Sequence, residues 1–269
     1  MKKTIIALMA LAGGTMADEI DSSKLLLVSF GTNGGNGVAT KTGSFMETSG
    51  LTYNVISTGS GSGYTTGTNA LKWADNTTAT GFTINTGQAV SGGNGQVITI
   101  TNSALVNETF DTSTMKAVGN YDGGLAITLS GLSVGKSYTI YTFVGRGNDY
   151  GGTGAGDTNT YTISEGAKDV VASVVSYTLT TSGRPVPSVS EDGTSITAYT
   201  QSCDGTNQTC ENWAILSFDF TATASSVKLA ATGSGSGNFG AIALSVPEPT
   251  TATLSLLALA GLAARRRRR

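Results

Sequence analysis

Residues 124–145 read Gly-Leu-Ala-Ile-Thr-Leu-Ser-Gly-Leu-Ser-Val-Gly-Lys-Ser-Tyr-Thr-Ile-Tyr-Thr-Phe-Val-Gly. Leu125, Ile127 and Leu129 recur at every second position, which places them on one face of a β-strand. After a break bounded by Gly131 and Gly135, Tyr138, Ile140 and Val144 fall on one side of a second strand, 136–144. Tyr141 and Phe143 fall on the other. Outward from this pair the same signature repeats: short apolar or alternating runs divided by Gly, Asn and Asp turns. The runs are 24–30, 51–57, 70–73, 81–85 and 96–101 on one side, and 160–164, 170–179, 195–200, 213–220, 227–231 and 239–246 on the other. The clearest of the later ones alternates Ala214, Leu216, Phe218 and Phe220. Amphipathic helical periodicity is absent between residues 18 and 246. The chain is therefore expected to be all-β, an antiparallel two-sheet jelly-roll sandwich. A β-helix is the rival, but the chain has no fixed repeat period.

Both ends depart from this pattern. Residues 1–17 carry Lys2 and Lys3, an apolar run over 5–12 and small residues up to Ala17, which is the build of a secretory signal peptide. At the other end Val246, Pro247, Glu248 and Pro249 lead into an apolar run, 250–264, closed by Arg265, Arg266, Arg267, Arg268 and Arg269. Hydrocarbon favours the leucines and alanines, while the arginines resist translocation and act as a stop-transfer cluster. The run is shorter than the roughly 20 residues that comfortably span a bilayer. Pro249 suits the first turn of a helix, where its missing N–H costs nothing. The expected organisation is a signal peptide with its own short helix at 1–17, a β-sandwich domain at 18–245, and a sorting tail at 246–269 with a transmembrane helix over 250–264.

Composition narrows the function. The chain has 269 residues and a net charge of −2, but between residues 18 and 246 there are 17 acidic and 9 basic side chains, a net of −8. An acidic domain gains nothing from a phosphate backbone, so nucleic acid is not an expected partner. The chain has no histidine, which excludes Ser-His-Asp and Cys-His catalysis and every His-ligated metal. Its two cysteines, Cys203 and Cys210, are expected to form a disulfide in an exported protein.

The tail resembles the PEP-CTERM sorting signal of Gram-negative bacteria, on the strength of Pro247-Glu248-Pro249, the Leu/Ala-rich run and the arginine end. The resemblance implies export through the Sec machinery and recognition by an exosortase-type transpeptidase. A membrane-anchored precursor would then give a protein of the cell surface or extracellular matrix. A second resemblance rests on Leu129-Ser130-Gly131-Leu132, Gly135-Lys136-Ser137-Tyr138, a strand ending at Arg146, and the closing run 238–244. These are similar to segments of bacterial surface jelly rolls, which are likened to galactose-binding-like, carbohydrate-binding modules. That resemblance implies extracellular polysaccharide as a partner.

No catalytic constellation emerges, and the chain is expected not to be an enzyme. Residues 131–137, Gly-Leu-Ser-Val-Gly-Lys-Ser, have three residues between the glycines where a phosphate-binding loop needs four, and join two strands, so they read as a turn. The Gly-Ser tracts 59–63 and 233–237 read as loops at the ends of the sandwich. Sugar binding needs an aromatic face and polar partners. Trp73, beside Asp75 and Asn76, is expected to be exposed for that role, and Arg146, Asp149 and Tyr150 share a Gly-rich loop suited to it. Tyr64 and Trp213 are further aromatics, the latter expected in the core. In the same loop Asn148, Asp149, Asp157 and Asn159 offer the oxygen ligands that calcium prefers. Their spacing approaches the Gly-rich calcium nonapeptide, with the aspartate one place late and no repetition. Otherwise no cofactor is expected. The alternatives to a carbohydrate-binding protein are a structural surface protein without a ligand and a carboxylate-dependent glycan hydrolase, which would need two facing carboxylates in a cleft.

Overall fold

The computed structural model describes residues 25–31, 36–45, 48–57, 63–87, 118–120, 125–145, 158–179, 185–199, 213–233 and 237–246. They are all-β. In chain order the strands are β1 (Leu25–Gly31), β2 (Gly37–Phe45), β3 (Thr48–Ser57), β4 (Thr83–Asn85), β5 (Val118–Asn120), β6 (Leu125–Ser130), β7 (Ser137–Gly145) and β8 (Thr158–Glu165). There follow β9 (Ala167–Thr178), β10 (Ser188–Val189), β11 (Ser195–Tyr199), β12 (Trp213–Ala222), β13 (Ser226–Gly233), β14 (Gly237–Phe239) and β15 (Ala241–Ser245). A seven-stranded sheet has the order β2-β3-β1-β15-β7-β12-β9, and a six-stranded sheet the order β10-β11-β8-β13-β6-β4. β14 and β5 form a short separate pair.

The alternation read in 125–129 is what the tertiary structure uses. β6 buries Leu125, Ile127 and Leu129 and leaves the residues between them half-covered. These pack with Tyr161 and Leu229 of their own sheet against Leu26, Val28, Phe30, Ile140, Val144, Leu216 and Phe218 of the other. Burying a side chain of this size contributes about 1.5–3 kcal/mol, so the core between the sheets is the main favourable term. The packing is close. A cavity lined by Leu26, Ile84, Ile127 and Leu244 measures about 10 Å³, no more than one water needs.

The two sheets differ on their outer faces. The six-stranded sheet shows half-exposed Thr128, Thr160 and Thr162 to solvent. The seven-stranded sheet also buries its reverse side, with Leu25, Leu27, Phe143, Ile215 and Ala243 all at 5% exposure or less. Strands buried on both faces read as continuous apolar runs, as Leu25-Leu26-Leu27-Val28 and Ala241-Ile242-Ala243-Leu244 do.

The expectation of a wholly antiparallel sandwich needs a correction, because β1 and β3 run parallel. β2 turns back one place away from β1, and β3 returns antiparallel to β2 to fill the gap between them. Where that parallel pairing ends, Asn54 takes over. Its fully buried amide donates to the carbonyls of Leu27 (2.9 Å) and Lys72 (2.8 Å) and accepts from the Lys72 N–H (2.8 Å).

β2 was not foreseeable from apolar periodicity, since Gly37–Phe45 consists mainly of Gly, Thr and Lys around few apolar residues. The reverse holds for 70–73, where only an isolated bridge, Lys72 to Thr78, replaces the expected strand. Residues 131–136 form the expected turn, without a helix. The turn is held by the Gly135 N–H to the Ala222 carbonyl (2.8 Å) and the Ser133 N–H to the Tyr138 hydroxyl (2.8 Å). The expected strand at 96–101 and the expected helices at 1–17 and 250–264 lie outside the described residues. Among the described residues no helix is long and apolar enough to cross a membrane.

Candidate functional site

The pairing registers sort the ends of the strands into two poles. At one pole Leu25 lies opposite Ser245, so the chain enters the sandwich beside the point where it leaves. Thr139, Thr221 and Lys168 mark the same end of β7, β12 and β9. The connections there are short: 46–47, 131–136, Gly166, 190–194 and 223–225. At the opposite pole lie Gly31, Ser57, Gly145, Trp213 and Thr178 in one sheet. Leu125, Thr158, Tyr199 and Gly233 lie there in the other. The strand ends at this second pole flank the segments 32–35, 58–62, 121–124, 146–157, 180–184, 200–212 and 234–236.

That topology brings strand ends far apart in the sequence to one pole. Arg146, Asn148, Asp149, Tyr150 and Asp157 belong to the segment joining Gly145 to Thr158, and Cys203 and Cys210 to the one joining Tyr199 to Trp213. All seven lie outside the described residues. Trp213 opens β12 at this pole, opposite Gly145, and its side chain is likewise outside the description. Asn159 is placed inside β8 rather than in the loop, at 1% exposure beneath Gly233. A Cβ added at Gly233 would lie 2.7 Å from Asn159 Oδ1, so the glycine gives this side chain its room. Among the described residues, no cluster of three or more acidic or cysteine side chains could hold a metal ion.

Trp73 is the clearest correction. Expected at the surface, it is only 9% exposed and packs edge-on against Phe82, with ring centroids 5.0 Å apart. Its polar neighbours make the turn that sends it inward. Asp75 Oδ1 accepts the Thr77 N–H (2.8 Å) and hydroxyl (2.6 Å), and Asn76 takes a left-handed conformation at φ 70°. The Trp73 N–H donates to the Thr77 carbonyl (2.8 Å), closing the loop over the ring. Asp75 and Asn76 thus signal a tight turn rather than an exposed indole. Tyr64 is half-buried against the same core.

One aromatic was not singled out by sequence. Tyr177, near the end of β9 at the loop pole, is 46% exposed, and no other aromatic side chain described is as open. Its run, Val170 to Thr178, is apolar enough to read as buried strand, and only its place at a sheet edge opens it to solvent.

The described carboxylates, Asp75, Glu165, Asp169, Glu191, Asp192 and Asp219, are all exposed. Glu165 pairs with Lys228 at 2.9 Å. Hydrogen bonds from Ser190 and then Thr194 hold the Asp192 carboxyl below its usual range, which stabilises the β10–β11 turn.

At the pole of entry and exit, Val246 follows β15 and packs half-buried against the core. It is the first residue of the sorting motif, and Pro247, Glu248, Pro249 and Arg265 to Arg269 lie outside the described residues. Residues 245–269 match the PEP-CTERM protein-sorting motif. This implies an exported, membrane-anchored precursor, with an exosortase as its processing partner. Comparison with curated proteins and with solved structures gives no match.

Proposed function

We propose that this chain, exported under its PEP-CTERM sorting motif, is a non-enzymatic protein of the cell surface or exopolysaccharide matrix of a Gram-negative bacterium that binds extracellular polysaccharide. In this reading the sandwich is of jelly-roll type, Sec carries the precursor across the inner membrane, and Cys203–Cys210 closes one of the pole's loops. The supporting observation is the polarity of the fold. The sorting tail leaves from the pole of tight turns, and the segments rich in Gly, Asn and Asp start from the other. A ligand surface there faces away from the point of attachment, and binding residues concentrate on loops set by a rigid scaffold. The absence of histidine, and the exposure of every carboxylate among the described residues, support a binding role over hydrolysis.

The test is a glycan array probed with the processed protein. Binding to one or more neutral or acidic polysaccharides is expected, without release of reducing ends. Binding to none would leave a structural surface component in its place, and release of reducing ends would establish a hydrolase.

A further inference from the structure

We infer that the folded sandwich limits the sorting enzyme's access to its own motif, with Val246 as the latch; this rests on processing at the PEP-CTERM motif. β15 is the fourth of seven strands, so the chain leaves its sheet from the middle. Three strands stand on either side, about 14 Å of wall each way at the usual interstrand spacing. Residues Ala241–Ser245 pair with β1 on one side and β7 on the other, and each is at 5% exposure or less.

Fraying of β15 does not relieve this. In the described sheet β1 and β7 are joined only through β15, so its loss divides the sheet into β2-β3-β1 and β7-β12-β9. Ile242 and Leu244 would leave the core with it. Opening a strand held in this way costs close to the free energy of unfolding the whole domain. An enzyme that meets the folded precursor is therefore confined to the chain beyond Ser245.

Little chain is left there. Ile242, Leu244 and Val246 alternate on one face, and half-buried Val246 continues that inward row by packing against the core. It is the first residue of the Val-Pro-Glu-Pro motif, yet the sandwich holds it. Only Pro247, Glu248 and Pro249 separate it from the apolar run that starts at Thr250. Three residues span at most about 11 Å fully extended, and a lipid headgroup layer occupies about 5–8 Å of that. In a precursor anchored by that run, the gap between sandwich and membrane is thinner than one α-helix with its side chains, about 10–12 Å. Release of Val246 lengthens the tether, which makes its contact with the core the natural gate.

The experiment is a pulse-chase of the full-length precursor in its exporting cell. Wild type is compared with a chain carrying Gly-Ser-Gly-Ser-Gly-Ser between Ser245 and Val246, and with Val246→Ser. The insert keeps Val-Pro-Glu-Pro contiguous for the enzyme, adds about 20 Å of reach and frees Val246 from the core. A thermal melt of the processed proteins verifies that the sandwich is retained. The insertion chain should convert to the processed form about threefold faster or more, since cleavage follows the population of the accessible state. Val246→Ser should shift the rate in the same direction by less. Equal or slower conversion of the insertion chain would overturn the gate. Slower conversion of Val246→Ser would overturn the latch, because the enzyme would then be reading Val246 itself. A wild-type precursor that is never shortened would overturn the processing at the motif along with both.

Discussion

Tyr141 stands on the reverse face of the seven-stranded sheet, between Ala243 and Ser217, in surroundings that disfavour a negative charge. Burial first, and then the carboxylate of Asp219, push its phenol up to about 12. The unfolded chain would release that proton near the ordinary value of 10, whereas the folded chain keeps it. Stability from this group is thus constant below pH 10 and falls as pH rises from there through 12. The ultraviolet phenolate titration should contain a step near pH 12 that Tyr141→Phe removes. Asp219→Asn should lower its midpoint only in part, because desolvation is the larger cause. Trp73 gives the second residue-scale expectation. With its ring in the core, Trp73→Ala should cost about 3–5 kcal/mol in urea unfolding. Polysaccharide affinity should not change, whereas an exposed platform would show the reverse.

Among the elements, the β8–β9 connection is the most constrained. A single residue, Gly166, carries the chain from one sheet to the other at φ +80°. A Cβ there would run into the Ser226 carbonyl, and the Gly166 carbonyl accepts the Thr223 N–H at 2.9 Å. Gly166→Ala should lower stability by about 1–3 kcal/mol, read from the denaturant midpoint, through strain that a flexible loop would not feel. The elements also differ in how far local sequence reveals them. β6, β12 and β13 announce themselves, because alternate residues face a common core and must be apolar. β2 does not, because it lies at an edge and its Thr and Lys side chains meet solvent. The bulges in β9 leave no local signature, because a bulge is defined by the partner strand.

The whole molecule is polarised. The start of β1, the end of β15 and the tight turns share one pole, and the strand ends that flank the long segments share the other. Val246 packs against the core, and the last described strand ends at Ser245, so cleavage at the Pro-Glu-Pro motif would remove none of the described strands. Replacing Pro247, Glu248 and Pro249 by alanine should leave an unprocessed, membrane-retained precursor on immunoblots of fractionated cells. Normal processing would reduce the tail to a simple anchor. By itself the sequence determined the all-β class, since alternation with period two is a local property of each strand. It also determined the export route, since the tail is a linear motif. Only the tertiary structure decided that Leu25 meets Ser245, that Trp73 turns inward, and that Tyr177 is exposed on an edge strand. Those outcomes depend on which strands pair and in what register, and pairing joins residues too distant in the chain for any local pattern to encode.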